Sequence, residues 1–274
     1  MNFYKYEATG NDFVILNRPF EEKYSAKWIA KVCDRHYGIG ADGLFFLWEK
    51  SGQWNWRFFN NDGSVAKFCG NASRCLLLWL HNQINQQTEN WKWTDGQTDF
   101  SGSVLKIKGE LQIEVTWAKS DLKILNLNSH HQNLVKPLYE IGLEKALWVS
   151  AGVPHLVLIG SSWPRKIRKL FYDNHLTHHP ELIKESNISW LSRTDMSLVT
   201  FERGLEEESL ACGSAALAAY YALKLRSQED KNLKVPADIQ FHFPGGDLNV
   251  KESESSLHLS GAARKVFEGY YEET

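Results

Sequence analysis

No stretch of this 274-residue chain approaches the ~20 consecutive apolar residues that a membrane-spanning helix needs, so no membrane partner is expected. Charge of one sign is not in excess either. The formal net charge is −2 with 23% charged residues, which offers no footing for a nucleic-acid or anionic-lipid partner. The opening residues Met1-Asn2-Phe3-Tyr4-Lys5-Tyr6-Glu7 carry neither a basic n-region nor an apolar h-region, and a cytoplasmic protein is expected. Cysteine is scarce, limited to Cys33, Cys69, Cys75 and Cys212. In a reducing compartment these build no disulfide framework, and the C-x5-C spacing of Cys69 and Cys75 fits no zinc pattern, so no metal is expected. A phosphate loop of the G-x-x-x-x-G-K type is lacking, no lysine stands in a recognisable pyridoxal context, and the chemistry is expected to need no cofactor. Gly38-Ile-Gly40-Ala-Asp-Gly43 satisfies the letter of the dinucleotide fingerprint, but a helical pattern precedes it and a strand pattern follows, the reverse of the order that fold requires.

What the chain does have is aromatic bulk, with eleven Trp, ten Tyr and fourteen Phe, which reads as core. It also has two similar stretches. Cys69-Gly70-Asn71-Ala72-Ser73-Arg74-Cys75 leads into the apolar Leu76 to Leu80, and Cys212-Gly213-Ser214-Ala215-Ala216 leads into a second apolar run reaching Leu225. Each predicts a thiol at the mouth of a buried helix, where unpaired backbone N–H groups and about half a positive charge bind carboxylates and favour thiolate over thiol. A strand and a polar turn precede each: Trp54 to Phe59 with Asn60-Asn61-Asp62-Gly63, and Ser197 to Phe201 with Glu202-Arg203-Gly204. Strand, polar turn, thiol and buried helix thus form a weak internal repeat. Two acid–base groups on opposite faces of one carbon are what inversion of a stereocentre requires, one removing the proton and the other returning it. The two helix N-termini would hold the α-carboxylate as charge develops. The competing reading, nucleophilic attack by a cysteine with His155 as base, needs one thiol and not its repeat.

Elsewhere, Phe3 to Tyr6 and Phe13 to Leu16 read as strands around the turn Thr9-Gly10-Asn11-Asp12. Ser25 is the expected N-cap of a helix with Trp28, Ile29, Val32 and Cys33 on one face, which makes Cys33 structural. Val104 to Trp117 predicts a hairpin around Gly109, Leu147 to Ile159 a second around Gly152, and the polar segment 118–122 a domain boundary. Residues 163–191 are expected to be helix-rich and to carry His178-His179-Pro180 as a surface loop, and Ile239 to Val266 to be β with Pro244-Gly245-Gly246 turning one hairpin.

Taken together, in order and spacing, these residues resemble the diaminopimelate epimerase family along nearly the whole chain. The matching stretches are Gly10-Asn11-Asp12-Phe13, Cys33-Asp34-Arg35, Gly38 to Gly43, Phe59 to Ser64, Cys69-Gly70-Asn71 with Arg74-Cys75, Pro154-His155, Asn187, Glu202-Arg203-Gly204, Ala211 to Ser214, and Gly261 with Val266 to Gly269. The resemblance implies an α/β fold of two pseudo-symmetric domains, each a mostly antiparallel curled sheet around a central helix, with the active site in the cleft between. The domains expected are 1–118 with 262–274, and 119–261. It implies cofactor-independent epimerisation of LL- to meso-diaminopimelate in lysine and peptidoglycan-precursor biosynthesis, by a homodimer whose partner is the amino-acid substrate alone. Cys69 and Cys212 would be the thiolate–thiol pair, supported by His155 and Glu202. Asn11, Asn60, Asn187 and Arg203 would hold the substrate, and the backbone of Gly70, Asn71, Gly213 and Ser214 its reacting carboxylate. Three features depart from the family's pattern: Ala72 and Ala215 stand where glycine is usual, Val153 stands where Asn precedes Pro-His, and Glu206-Glu207-Glu208 lengthens the turn after Arg203. These departures motivate two alternatives, a racemase of another amino acid on the same fold and a non-catalytic amino-acid binding protein.

Overall fold

Buried and exposed residues alternate over much of the chain, and there it forms strands. The structure, a computed structural model, describes residues 1–66, 68–107, 109–127, 129–173, 185–203 and 207–272, the side chains of 129–131 excepted. His178-His179-Pro180, Gly204 and Glu206 fall outside the described residues. The chain divides into two units, Met1–Thr116 with Ser260–Thr274, and Trp117–Leu259.

Up to the division the elements are β1 (Asn2–Ala8), β2 (Asn11–Leu16), α1 (Ala26–Cys33), β3 (Gly43–Lys50), β4 (Gln53–Asn60), α2 (Gly70–Gln83), β5 (Asn90–Thr94), β6 (Asp99–Ile107) and β7 (Glu110–Ala118). Then come β8 (Leu122–Leu125), α3 (Ser129–Tyr139), β9 (Leu143–Ala151), β10 (Val153–Gly160), α4 (Arg165–Phe171), β11 (Asn187–Ser192), β12 (Ser197–Glu202) and β13 (Glu207–Ser209). The last are α5 (Gly213–Glu229), β14 (Asp238–Phe243), β15 (Gly246–Glu252), β16 (Ser256–Gly261) and β17 (Arg264–Tyr270), which returns to pair antiparallel with β1.

The internal repeat extends well beyond the thiols. In the first unit β1/β2 are antiparallel, β2/β3 parallel, β3/β4 antiparallel, β4/β5 parallel and β5/β6 antiparallel. In the second, β9/β10, β10/β11, β11/β12, β12/β14 and β14/β15 follow the same alternation. A parallel pair cannot be joined by a tight turn and needs a crossover, usually helical. Here α1 and α2 supply the two crossovers of the first unit, and α4 and α5 those of the second.

The crossover helices after the thiols form the two cores. From Gly70 to Leu80 every residue of α2 is buried, packed with Tyr6, Phe13, Phe45, Trp56 and Trp93. In α5 the alanines 215, 216, 218, 219 and 222 lie against Val149, Val157, Leu198, Phe241 and Val250, their small side chains letting the sheet come close. A helix apolar all round is one that is buried all round, as the sequence requires of both. Ser25 caps α1 by accepting from the Trp28 N–H at 3.2 Å, and Ile29, Val32 and Cys33 are its buried face, as expected. Gly38 to Gly43 lies between α1 and β3, helix before and strand after, so the sequence-based rejection of a dinucleotide loop holds.

Three local expectations need correction. Asn187 to Leu191 is strand rather than helix: the residues β11 turns to its neighbours are all buried, and a wholly buried strand carries no period-2 signal to tell it from helix. Helix α3 goes unread in the sequence because Pro137 lies inside it, although Leu134, Val135 and Leu138 form a buried stripe. Strand β2 begins at Asn11, not Phe13, since the β1/β2 turn is only Thr9-Gly10, both with positive φ (47° and 92°).

Candidate active site

In the first unit, Cys69 is the N-cap of α2, in extended conformation, and its Sγ accepts from the Ala72 N–H at 3.5 Å. Cys69 is half-buried, whereas Cys75, nearly two turns on, is wholly buried and its thiol pushed well up by desolvation. Cys33, as expected, is structural: burial raises its thiol to about 12. The Asn71 amide is committed to the scaffold, donating to Asn11 Oδ1 at 2.6 Å, and Asn11 in turn donates to Asp42 Oδ2 at 3.1 Å. Asp42 shares Arg35 with Asp12, and the Asp12 carboxylate is also paired with the buried Lys5 at 2.8 Å. Asn60 ends β4 and donates to the Ser64 hydroxyl at 2.9 Å across the polar turn.

In the second unit, Cys212 is the N-cap of α5, with Sγ 3.3 Å from the Ser214 hydroxyl. That hydroxyl lies 2.9 Å from His155 Nε2, and His155 Nδ1 lies 2.9 Å from the Ser189 hydroxyl, which is 3.4 Å from that of Thr200. Register explains the cluster: His155 on β10 is paired in parallel with Asn187 on β11, and Glu202 ends β12, the next strand over. Asn187 Oδ1 accepts from the Arg203 N–H at 3.0 Å. Burial, then the charge of Arg203, push His155 from 6.5 down to about 3, so the ring is neutral and acts as a hydrogen-bonding group rather than a cation. Burial, then the charge of Glu202, push the Cys212 thiol well up, outweighing the Ser214 hydrogen bond that opposes them.

That last result corrects the expectation that a helix mouth favours thiolate at both cysteines. At Cys212 desolvation and the Glu202 carboxylate, which accepts the thiol's hydrogen bond, favour the thiol over the thiolate. The two sites also differ at equivalent strand positions. Where the second unit has His155 third in β10, Asn187 first in β11 and Glu202 last in β12, the first unit has Phe13, Gly43 and Asn60.

The structure thus joins Cys212, Ser214, His155, Asn187, Glu202 and Arg203 through one set of contacts, and Cys69, Gly70, Asn71 and Asn11 through another. The added methyls of Ala72 and Ala215 are wholly buried in the two cores, not on the rim of either helix mouth. Of the extra glutamates, Glu208 is clamped by Arg168 (Nε to Oε1 2.7 Å, Nη2 to Oε2 3.0 Å) and accepts from the Tyr172 hydroxyl at 3.1 Å, while Glu207 is exposed. Val153 is half-buried at the start of β10, opposite Ala151 across Gly152, whose φ of +80° makes that turn. Sequence reasoning missed Ser189 and Thr200, which are conveyed only by strand register, Arg168 and Tyr172, which the α4 crossover brings to Glu208, and Arg74, which lies in plain view within the first thiol stretch. Among the described residues no group of three or more His, Cys, Asp or Glu could hold a metal ion. No helix among them is long and apolar enough to cross a membrane.

The sequence profile of the family described as Diaminopimelate epimerase matches residues 3–116. A diaminopimelate epimerase of Campylobacter jejuni is 30% identical over 277 residues, covering 99% of each chain. One of Synechocystis is 30% identical over 298 residues, again with 99% of each chain covered. Among solved structures, a phenazine biosynthesis protein of the PhzF family from Bacillus anthracis superposes with a TM-score of 0.72 at 12% identity, covering 98% of each chain. A hydroxyproline epimerase from Agrobacterium vitis, with trans-4-hydroxy-L-proline bound, does so with a TM-score of 0.62 at 10% identity, over 98% of this chain and 91% of its own. At those identities the likeness shows the fold, an α/β architecture this chain shares with epimerases and racemases.

Proposed function

We propose that this chain, which belongs to the diaminopimelate epimerase family and is an amino-acid epimerase, converts LL-diaminopimelate to the meso form with Cys69 and Cys212 as its two proton carriers. The observation that carries the reading is the paired placement of the two sulfurs, each the N-cap of the second crossover helix in its unit. One thiolate takes the α-proton, leaving the electron pair on a carbanion delocalised into the adjacent carboxylate. The first-turn N–H groups of α2 and α5, at Gly70, Asn71, Gly213 and Ser214, hold that carboxylate as its charge grows. The thiol on the opposite face then gives its proton to the carbon. Proton and sulfur roles are exchanged at the end of the turnover, with no electron gained or lost.

Glu202 serves Cys212, keeping it protonated until its proton is needed, which fits the acid half of the pair. His155, neutral and hydrogen-bonded to Ser214, orients that same helix mouth. Arg203 is suited to the distal carboxylate as a planar two-pronged donor, with Asn11, Asn60 and Asn187 contributing amide contacts. The two units act as the two epimerase domains, and the reaction belongs to lysine and peptidoglycan-precursor formation.

Val153 favours a second reading, a racemase of another amino acid, because an apolar side chain at that position offers no hydrogen bond to a distal head group. Incubation with LL-diaminopimelate in deuterated water decides between them. Deuterium at the α-carbon with meso product supports the first reading. Exchange into another amino acid but not this one defeats it in favour of the second, and binding without exchange into any amino acid leaves only a binding protein.

A further inference from the structure

The first helix mouth holds a charge that helix electrostatics does not explain. Arg74 lies just past the first turn of α2 and is wholly buried. Its guanidinium donates to the Thr9 hydroxyl at 2.9 Å, to Asn71 Oδ1 at 2.8 Å and, at the limit of range, to the Gly70 carbonyl at 3.5 Å, while its Nε has no partner among the described residues. Those three acceptors are neutral oxygens. A cation near a helix N-terminus sits at the wrong end of the dipole, and a buried cation without a counter-ion is costly. Burial lowers Arg74 to about 10, which still leaves it protonated at neutral pH.

Among the described residues, the charged and titratable groups that act on Arg74 are Cys75 on its own helix, Cys69 at that helix's N-cap and Glu7 on β1. Cys75 is held as a thiol by burial. Glu7 is paired with Arg264 of β17 at 2.7 Å and accepts from the Gly10 N–H at 3.0 Å. Asp12 of β2, which also faces Cys75, is bound by Lys5 and Arg35. Among the described residues, what remains to balance Arg74 is an anion at the mouth of α2. The second mouth is built the other way round: at the position in α5 that matches Arg74 in α2 stands Leu217, buried in the core, and the charged neighbour of the thiol is Glu202.

We propose that Arg74 is the fixed counter-charge of the first mouth, holding Cys69 as thiolate in the resting enzyme opposite a Cys212 thiol, so that the empty enzyme is loaded to take a proton at Cys69 and give one from Cys212. The inference rests on the two-thiol reading above. Arg74 acts through Cys69 and is a positioning residue.

The test is alkylation by iodoacetamide of the substrate-free protein as a function of pH, resolved by peptide mass spectrometry, in wild type, Arg74→Gln, Arg74→Lys and Thr9→Val. In wild type the pH of half-maximal labelling is lower at Cys69 than at Cys212. Arg74→Gln raises the Cys69 midpoint by about one unit or more and leaves that of Cys212 in place. Arg74→Lys restores most of the wild-type value, and Thr9→Val, which removes a hydrogen bond but no charge, leaves it unchanged. The acid limb of kcat/KM moves with the Cys69 midpoint. An unmoved Cys69 midpoint in folded Arg74→Gln, or an equal shift in Thr9→Val, overturns the proposal. If Arg74→Gln does not fold, a wild-type Cys69 midpoint at or above that of Cys212 overturns it. Labelling needs no turnover, so failure of the diaminopimelate reading in the deuterium experiment is read separately.

Discussion

Cys69 and Cys212 occupy the same position in the same kind of helix, yet one is half-buried beside a buried arginine and the other almost enclosed beside a glutamate. Replacing either with alanine removes one face's proton carrier. We expect Cys69→Ala and Cys212→Ala each to lose at least ~10³-fold in epimerisation rate by a coupled assay, and near-native turnover in either would defeat the two-thiol mechanism. His155 makes a separate prediction. The unfolded imidazole gains a proton near 6.5 and the folded one only near 3, so the unfolded chain binds more protons between those values. Stability is therefore full above about pH 6.5 and falls with pH below it, by about 1.4 kcal/mol per unit from this residue. Urea unfolding at about pH 7, 5.5 and 4.5 should give a flatter profile for His155→Asn than for wild type, and parallel profiles would refute the assignment.

At the scale of elements, the sequence told most where one signal dominated. The two thiol helices are legible because a run apolar all round after a cysteine and glycine has one cheap home, the centre of a sheet. The pairing of β10 with β11, which brings His155 beside Asn187, is not legible, because parallel register is set by the α4 crossover and not by neighbours in sequence. For the same reason Ser189 and Thr200, two hydroxyls among buried strand residues, could not be told from ordinary core polar groups. Arg74 was visible but its meaning depended on burial, which sequence does not give. Two tests belong at this scale. Arg168→Met should leave the part-buried Glu208 carboxylate without its bidentate partner and loosen β13, which leads into Cys212. We expect a loss of about 1–3 kcal/mol by denaturant titration, with KM rising more than kcat falls. In α5, Ala219→Leu forces extra methylenes into a filled core and should cost about 1–3 kcal/mol in the same measurement; a neutral result would show that the sheet can yield around that helix.

For the molecule as a whole, the repeated alternation of antiparallel and parallel pairs explains how one chain comes to carry two thiols in equivalent places. The repeat also localises the departures from symmetry: Phe13, Gly43 and Asn60 in one unit against His155, Asn187 and Glu202 in the other. Many individual strands were readable from their alternation, but the α/β fold came from the family resemblance, and the twofold pattern of crossovers was only hinted at by the spacing of turn and thiol. Strand β17 ties the far end of the chain to β1, from Asn2 opposite Tyr270 to Glu7 opposite Arg264, with Phe3 and Phe267 in edge-to-face contact. Deleting residues 262–274 should bare the outer edge of β1 and lower Tm by more than about 5 °C, as read by calorimetry.

That closing strand also fixes an order of events during synthesis. Domains ordinarily fold in the order in which the ribosome makes them. Here the stretch Trp117–Leu259 is contiguous, while the unit begun first is completed only by Arg264–Tyr270, which is made after that whole stretch. The unit translated second is thus the first that can finish folding, and the growing chain carries β1 with its outer backbone hydrogen bonds unmade until that unit has been synthesised.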